Sequence, residues 1–188
     1  MTAQDVLTTP HRAKLRVADF LLLAESGAFA DYARTELIEG EIWVVNSVHR
    51  RHARVHAQLT IDLGIALKAI ESEFVLYTAP STELSNDSLP EPDIAIGEVS
   101  DAKIFPGPAM RIAIEVSDTT LDIDLGRKAR LYARHAAPEY WVVDIEARVI
   151  HQMWMPHGDR YAERRAIPFG QSVMAATLSG LTIETNAL

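Results

Sequence analysis

The longest regular pattern in the chain runs over residues 51–71, where Val55, Leu59, Leu63, Ala66, Leu67 and Ile70 recur at spacings of three and four. That period predicts an amphipathic helix with one apolar stripe. A shorter helix is predicted from Val17, with Asp19 in its first turn and Gly27 as its stop. A third is predicted over residues 120–135, where Leu121, Leu125, Ala129 and Tyr132 make the stripe and Pro138 follows. Other stretches follow a strand pattern instead. Residues 36–45 place two β-rich runs around Glu39-Gly40, the signature of a tight hairpin. Residues 74–78, 92–96, 111–116 and 140–144 read as strands, with 149–155 as the hairpin partner of the last and 160–166 as an edge strand. Residues 81–89 are polar, with a turn at Asn86-Asp87, and the tail alternates too weakly to define an element.

The strand–helix–strand unit over residues 111–144 is long enough for a parallel crossover. The fold class expected is α/β, or mixed α+β: a central mixed sheet flanked by helices. A length of 188 residues suits one domain over 1–188, with 1–15 as a loose N-terminal segment.

Composition changes this picture mainly by exclusion. With no cysteine, the chain has no disulfide, thiolate zinc site or cysteine nucleophile. The N-terminus lacks a hydrophobic run behind its charges, and no apolar stretch is long enough to span a bilayer, so a cytoplasmic location is expected. There is no GxGxxG, no GxxxxGK[ST], no GxSxG and no HExxH. The net charge of −8 is unevenly spread: residues 1–70 are neutral, 71–125 carry −10, and 126–188 carry +2. An acidic middle segment suits a hard divalent cation, and it equally suits a solvated acidic surface.

Two acids stand out because each sits in an apolar strand. Alternation puts Ile112, Ile114 and Val116 on one face of their strand and Ala113, Glu115 and Ser117 on the other. Asp93 follows Pro92, which favours extended backbone. A buried carboxylate is costly unless it is paired or binds a cation. If the two strands are neighbours, Asp93 and Glu115 reach one metal; the alternative is a pair of strand-end charges facing water. Lys128 lies on the margin of the third helix's stripe, able to point towards Glu115 or to pair with Asp124. Arg127, Arg130 and Arg134 recur on another side of that helix, either as a phosphate-contacting stripe or as a solvated face. His52 and His56, four apart, are able to share a ligand, although such histidines are more often helix-surface residues.

The run Ile114-Glu115-Val116-Ser117, then Lys128, Tyr132 and the segment Pro138-Glu139-Tyr140-Trp141-Val142-Val143-Asp144, resembles the Uma-two family of endonucleases in the restriction-endonuclease-like PD-(D/E)xK superfamily. Upstream, Glu36-Leu37-Ile38-Glu39-Gly40-Glu41, His52 with Val55 and Leu59, and Pro92-Asp93 extend the likeness over roughly residues 16–183. The resemblance implies a restriction-endonuclease-like core. It places the PD motif on Pro92-Asp93 and the second acid on Glu115. The superfamily's usual lysine position is Ser117 here, and a migrated lysine falls on Lys128. Glu36 matches a further acidic position and His52 a position of undefined role. Thr35 stands where a tyrosine often precedes the Glu36 position.

The expectation is a Mg²⁺- or Mn²⁺-dependent endonuclease acting on DNA. Asp93, Glu115 and the carbonyl of Val116 would bind the metal, with Lys128 beside the attacking water. A homodimer is implied by the same resemblance, with residues 160–166 as one contact. The alternatives are a non-catalytic nuclease-fold module that binds DNA or serves assembly, which the acidic balance favours, and a hydrolase of small phosphate esters.

Overall fold

The computed structural model describes residues 12–45 and 49–188. The loose segment expected over residues 1–15 falls outside them as far as residue 11. It does not extend to Lys14 and Leu15, because the Leu15 N–H donates to the Gly40 carbonyl at 3.0 Å and Lys14 Nζ to the Glu39 carbonyl at 2.8 Å.

Helix α1, Val17–Glu25, leads into a hairpin of β1, Arg34–Ile38, and β2, Glu41–Val45. The turn needs positive φ at both central residues, and Glu39 and Gly40 adopt 52° and 77°. A side chain at position 40 would meet Lys14 Cβ at 2.6 Å. Helix α2, Arg50–Ala69, follows the predicted stripe, burying Val55, Leu59, Leu63 and Leu67.

The central sheet has six strands: β3, Val75–Thr78; β5, Ile94–Gly97; β7, Met110–Ser117; β8, Glu139–Asp144; β9, Val149–His157; and β10, Arg160–Pro168. Their order is β10-β9-β8-β7-β5-β3. Only β7 and β8 run parallel, as the crossover predicts. Two short strands, β4, Thr82–Glu83, and β6, Phe105–Pro106, pair in parallel beside the sheet.

The connection between β7 and β8 is helix α3, which is not uniform: α-helical over Leu121–Ile123, π-helical over Asp124–Lys128 and α-helical again over Ala129–Arg134. The sequence pattern predicts its extent but not its wide turn. One sheet face packs on α2 through Ile94, Ile112, Ile114, Val116, Trp141 and Val143. The other packs on α3 through Ala95, Ala113, Tyr140 and Val142 against Ala129 and Tyr132. The predicted alternation in β7 is thus realised, and Glu115 lies on the α3 side.

The weakly patterned tail forms a hairpin of β11, Ser172–Met174, and β12, Thr182–Glu184, against the α2 face. A buried carboxylate anchors it. Glu139 accepts hydrogen bonds from the indole of Trp141 at 2.6 Å, the amide of Gln152, the Ala176 and Thr177 N–H groups at 2.9 and 2.8 Å, and the Thr177 hydroxyl at 2.8 Å. Removing that acceptor strands several buried donors at once. Glu139→Ala is expected to cost about 3 kcal/mol or more in urea unfolding. A loss under about 1 kcal/mol would mean that apolar contacts alone hold the tail.

Candidate active site

The site lies where β7 and β8 end, beside the start of β5, and is closed over by the β1–β2 hairpin. Chain connectivity explains this placement. The parallel pair sends α3 back from the C-terminal end of β7, and that sheet edge is where ligand sites form in crossover folds. Asp93 immediately precedes β5, and β5 pairs with β7 in the register Ile94↔Ile114. Asp93 and Glu115 therefore come from neighbouring strands, as the sequence requires for a shared site.

Asp93 is held from three elements. Its Oδ2 accepts the Val116 N–H at 2.7 Å and lies 3.2 Å from His52 Nε2, while Oδ1 accepts Arg34 Nη1 at 2.7 Å. His56 Nε2 lies 2.9 Å from the backbone carbonyl of Asp93. Burial works against the charge, but the His52 hydrogen bond, the Arg34 guanidinium and the Val116 N–H together hold the Asp93 carboxyl well below the usual carboxylate range.

Glu115, Glu36 and Lys128 form a second knot. Lys128 Nζ is 3.0 Å from Glu115 Oε1 and 2.9 Å from Glu36 Oε2. The Tyr132 hydroxyl donates to Glu115 Oε1 at 3.1 Å. All three charged groups are buried, and Asp124 and Lys128, at the two ends of the π turn, both point inwards. Burial lowers the Lys128 pKa, yet Glu115, Glu36 and Asp124 outweigh it and raise the net value, so the ammonium stays protonated. Glu115 shifts the other way for a carboxylate. Burial, with Asp93, Asp124 and Glu36 nearby, pushes it well above its ordinary value despite Lys128. Asp124 is also raised by burial, although Lys128 and the Thr120 hydroxyl at 2.6 Å favour its charge. Arg34 links the two knots, lying 2.8 Å from Glu36 and 2.7 Å from Asp93.

The sequence-predicted residues Asp93, Glu115, Lys128, Glu36 and His52 are thus brought together, with Val116 contributing its N–H. Ser117 sits at the end of β7, its hydroxyl 3.4 Å from that of Thr120 and beside Asp124. The arginine stripe is mostly engaged elsewhere. Arg127 pairs with Glu41 at 2.7 Å and Glu39 at 3.2 Å, and Arg134 with Glu39 at 2.5 Å, so both brace the hairpin. Arg130 is exposed near Arg160 and Arg164. Three residues that the sequence did not single out are Arg34, Asp124 as a buried acid, and Tyr132 as more than a core residue. Arg34 was detectable in principle, since it stands two before Glu36 and shares its strand face.

A cavity of about 510 Å³ opens onto these groups. The donor set around it is one of hard carboxylate oxygens, with four buried acids (Asp93, Glu115, Glu36 and Asp124) set against two cations, Arg34 and Lys128. That excess of buried negative charge suits a divalent ion such as Mg²⁺ or Mn²⁺. Among the described residues, no three histidine or acidic groups converge on one point as they stand. Arg34 and Lys128 fill the space between the carboxylates.

A mixed sheet flanked by helices, with acids and a lysine at the end of its parallel pair, is the restriction-endonuclease-like core. The chain belongs to the Uma2 family, whose model, described as "Putative restriction endonuclease", matches residues 17–186. A solved structure described as a "putative nuclease belonging to DUF820" from Anabaena variabilis is similar to it, with a TM-score of 0.69 and 16% identity, over 92% of this chain and 96% of that one. At that identity the likeness speaks for the fold. No curated protein matches the chain. No helix among the described residues is long and apolar enough to cross a membrane.

Proposed function

We propose that the protein is a divalent-cation-dependent endonuclease that hydrolyses phosphodiester bonds in DNA. The observation that carries this reading is the convergence of Glu36 from β1, Glu115 from β7 and Lys128 from α3 on one buried point beside Asp93. Core residues have no need of such an assembly, and nuclease chemistry does.

Asp93 and Glu115, with the Val116 carbonyl, would hold Mg²⁺ or Mn²⁺, which would supply a bound water of lowered pKa and offset the phosphate charge. A bound cation would draw on the carboxylate that Arg34 now pairs, so Arg34 serves as the counter-charge when the acids stand alone. Lys128 is a cation and hydrogen-bond donor here, not a base, because its carboxylate neighbours keep it protonated. It stabilises the extra negative charge that develops as water adds to phosphorus and one P–O ester bond breaks. Glu36 positions Lys128, and Tyr132 fixes the Glu115 carboxylate. His52 and the Val116 N–H keep Asp93 ionised and oriented. The attacking water gives up one proton to solvent, and the departing alkoxide takes one up from it.

The test is incubation of the purified protein with supercoiled plasmid and with single-stranded DNA in Mg²⁺, in Mn²⁺ and in chelator. Nicking or cleavage only with the cation is expected. Hydrolysis of a chromogenic phosphate ester with intact polynucleotide would overturn the reading in favour of a small-ester hydrolase. Cation binding without hydrolysis of any substrate would favour a non-catalytic module.

A further inference from the structure

The cavity above the acids differs from the surface that a double helix requires. Asp93 and Glu115 are 5% and 3% exposed, so the carboxylates lie at the floor of the cavity. Its walls are largely apolar, with Ile38, Trp43, Val44, Ala53 and Ile123 among them. A volume of about 510 Å³ falls within the range that encloses a small organic ligand and is far too small for a duplex. Trp43 is placed by register: it lies directly opposite Glu36 across the β1–β2 hairpin, so both project from the same face. The Arg127 guanidinium covers one face of the indole at 4.8 Å and is itself fixed by Glu41 and Glu39. The ring is therefore held in place beside the acids.

Charge points the same way. Duplex binding draws its affinity from many cationic contacts with phosphate. This chain carries a net charge of −8, and Arg127 and Arg134 are already spent on hairpin acids. Stacking of a base on an aromatic ring adds affinity that does not come from phosphate contacts and tolerates any sequence.

We propose that this site takes a single-stranded or locally unpaired polynucleotide, with one unstacked base held in the cavity beside Trp43 and its phosphodiester delivered to Asp93, Glu115 and Lys128. The inference rests on the nuclease reading for its chemistry but not for its binding. A base and its phosphate enter together only if the nucleotide has left the helix, and leaving costs least in a single strand.

The experiment measures binding of a 20-nucleotide DNA carrying 2-aminopurine, single-stranded and as its duplex, in Ca²⁺ and moderate salt. The expected result is at least tenfold tighter binding of the single strand, with the probe's emission quenched. Trp43→Ala is expected to weaken single-strand binding about tenfold and abolish the quench, while Trp43→Phe retains most of both. Because Trp43 also packs under Arg127, a second variant guards against misfolding. Ala53→Trp, at an exposed position of α2, fills the cavity mouth and is expected to block single-strand binding with an unchanged melting temperature. Equal or tighter binding of duplex, or single-strand binding untouched by both Trp43→Ala and Ala53→Trp, would overturn the proposal. Preferential cleavage of duplex in Mg²⁺ would likewise overturn it while leaving the nuclease reading standing. Tight, Trp43-dependent single-strand binding without cleavage in Mg²⁺ or Mn²⁺ would do the reverse.

Discussion

Lys128→Met is expected to lower phosphodiester cleavage by about a thousandfold while leaving divalent-cation binding in place. Methionine keeps much of the side chain's volume and removes only the ammonium, so the comparison isolates the charge. The ammonium lies 3.0 Å from Glu115 and 2.9 Å from Glu36, and these acids would then face each other without it. Breaking a buried ion pair from one side costs about 3–5 kcal/mol. Part of that loss is recovered on acidification. Glu115 already has a raised pKa from burial and its acidic neighbours, so it takes up a proton in the fold more readily than in the unfolded chain. The stability gap between variant and wild type should therefore narrow as pH is lowered through the range where Glu115 protonates. Cleavage rates, Mn²⁺ titration calorimetry and urea unfolding at two pH values check the three parts. Activity within about tenfold of wild type would remove the ammonium from the mechanism. Loss of cation binding would instead make Lys128 an organiser of the carboxylates.

Asp93→Asn is the second large effect. Asparagine keeps the shape but offers neutral oxygen and nitrogen where Arg34, His52 and the Val116 N–H now meet a carboxylate. Cation binding should fall below detection and cleavage with it. The fold should lose about 3 kcal/mol at neutral pH, chiefly because Arg34 is left half-paired in a half-buried position. The pH dependence has a definite sign. Asp93's pKa is depressed in the fold below its ordinary 3.8, so its stabilising contribution is complete above that value and disappears as pH falls through the lower, folded value. Wild type and Asp93→Asn should therefore converge in stability in strong acid and separate above about pH 4. A constant difference across the whole range would show that the loss comes from packing rather than charge.

Much of this arrangement can be read from the chain because the residues concerned violate a local pattern. Glu115 interrupts an apolar strand on its small-residue face, and Asp93 opens another, so both are conspicuous without knowledge of the fold. Lys128 is conspicuous only next to Glu115, since on a helix margin a lysine usually points to water. Glu36 is invisible to periodicity: it sits within an ordinary hairpin strand, and only the family resemblance singles it out. Arg34 and Asp124 stayed hidden for a different reason. Each sits where a surface charge would look normal, and burial comes from elements distant in sequence, such as α3 closing over β1. The tail shows the same limit. Val173 and Ile183 are single buried residues in short strands, and their anchor, Glu139, lies over thirty residues upstream.

The π turn over Asp124–Lys128 gives the helix one residue more per turn there than its flanks carry. It therefore acts as slack in the helix, holding one residue that a regular turn would not. Leu121 and Tyr132, on either side of it, both reach the same apolar layer. Removing one residue inside the turn would let it close into a regular spiral with the flanks nearly unmoved, whereas adding one to a regular stretch would swing everything downstream by about 100°. Relatives should therefore differ in length inside this turn more readily than in the helix on either side of it.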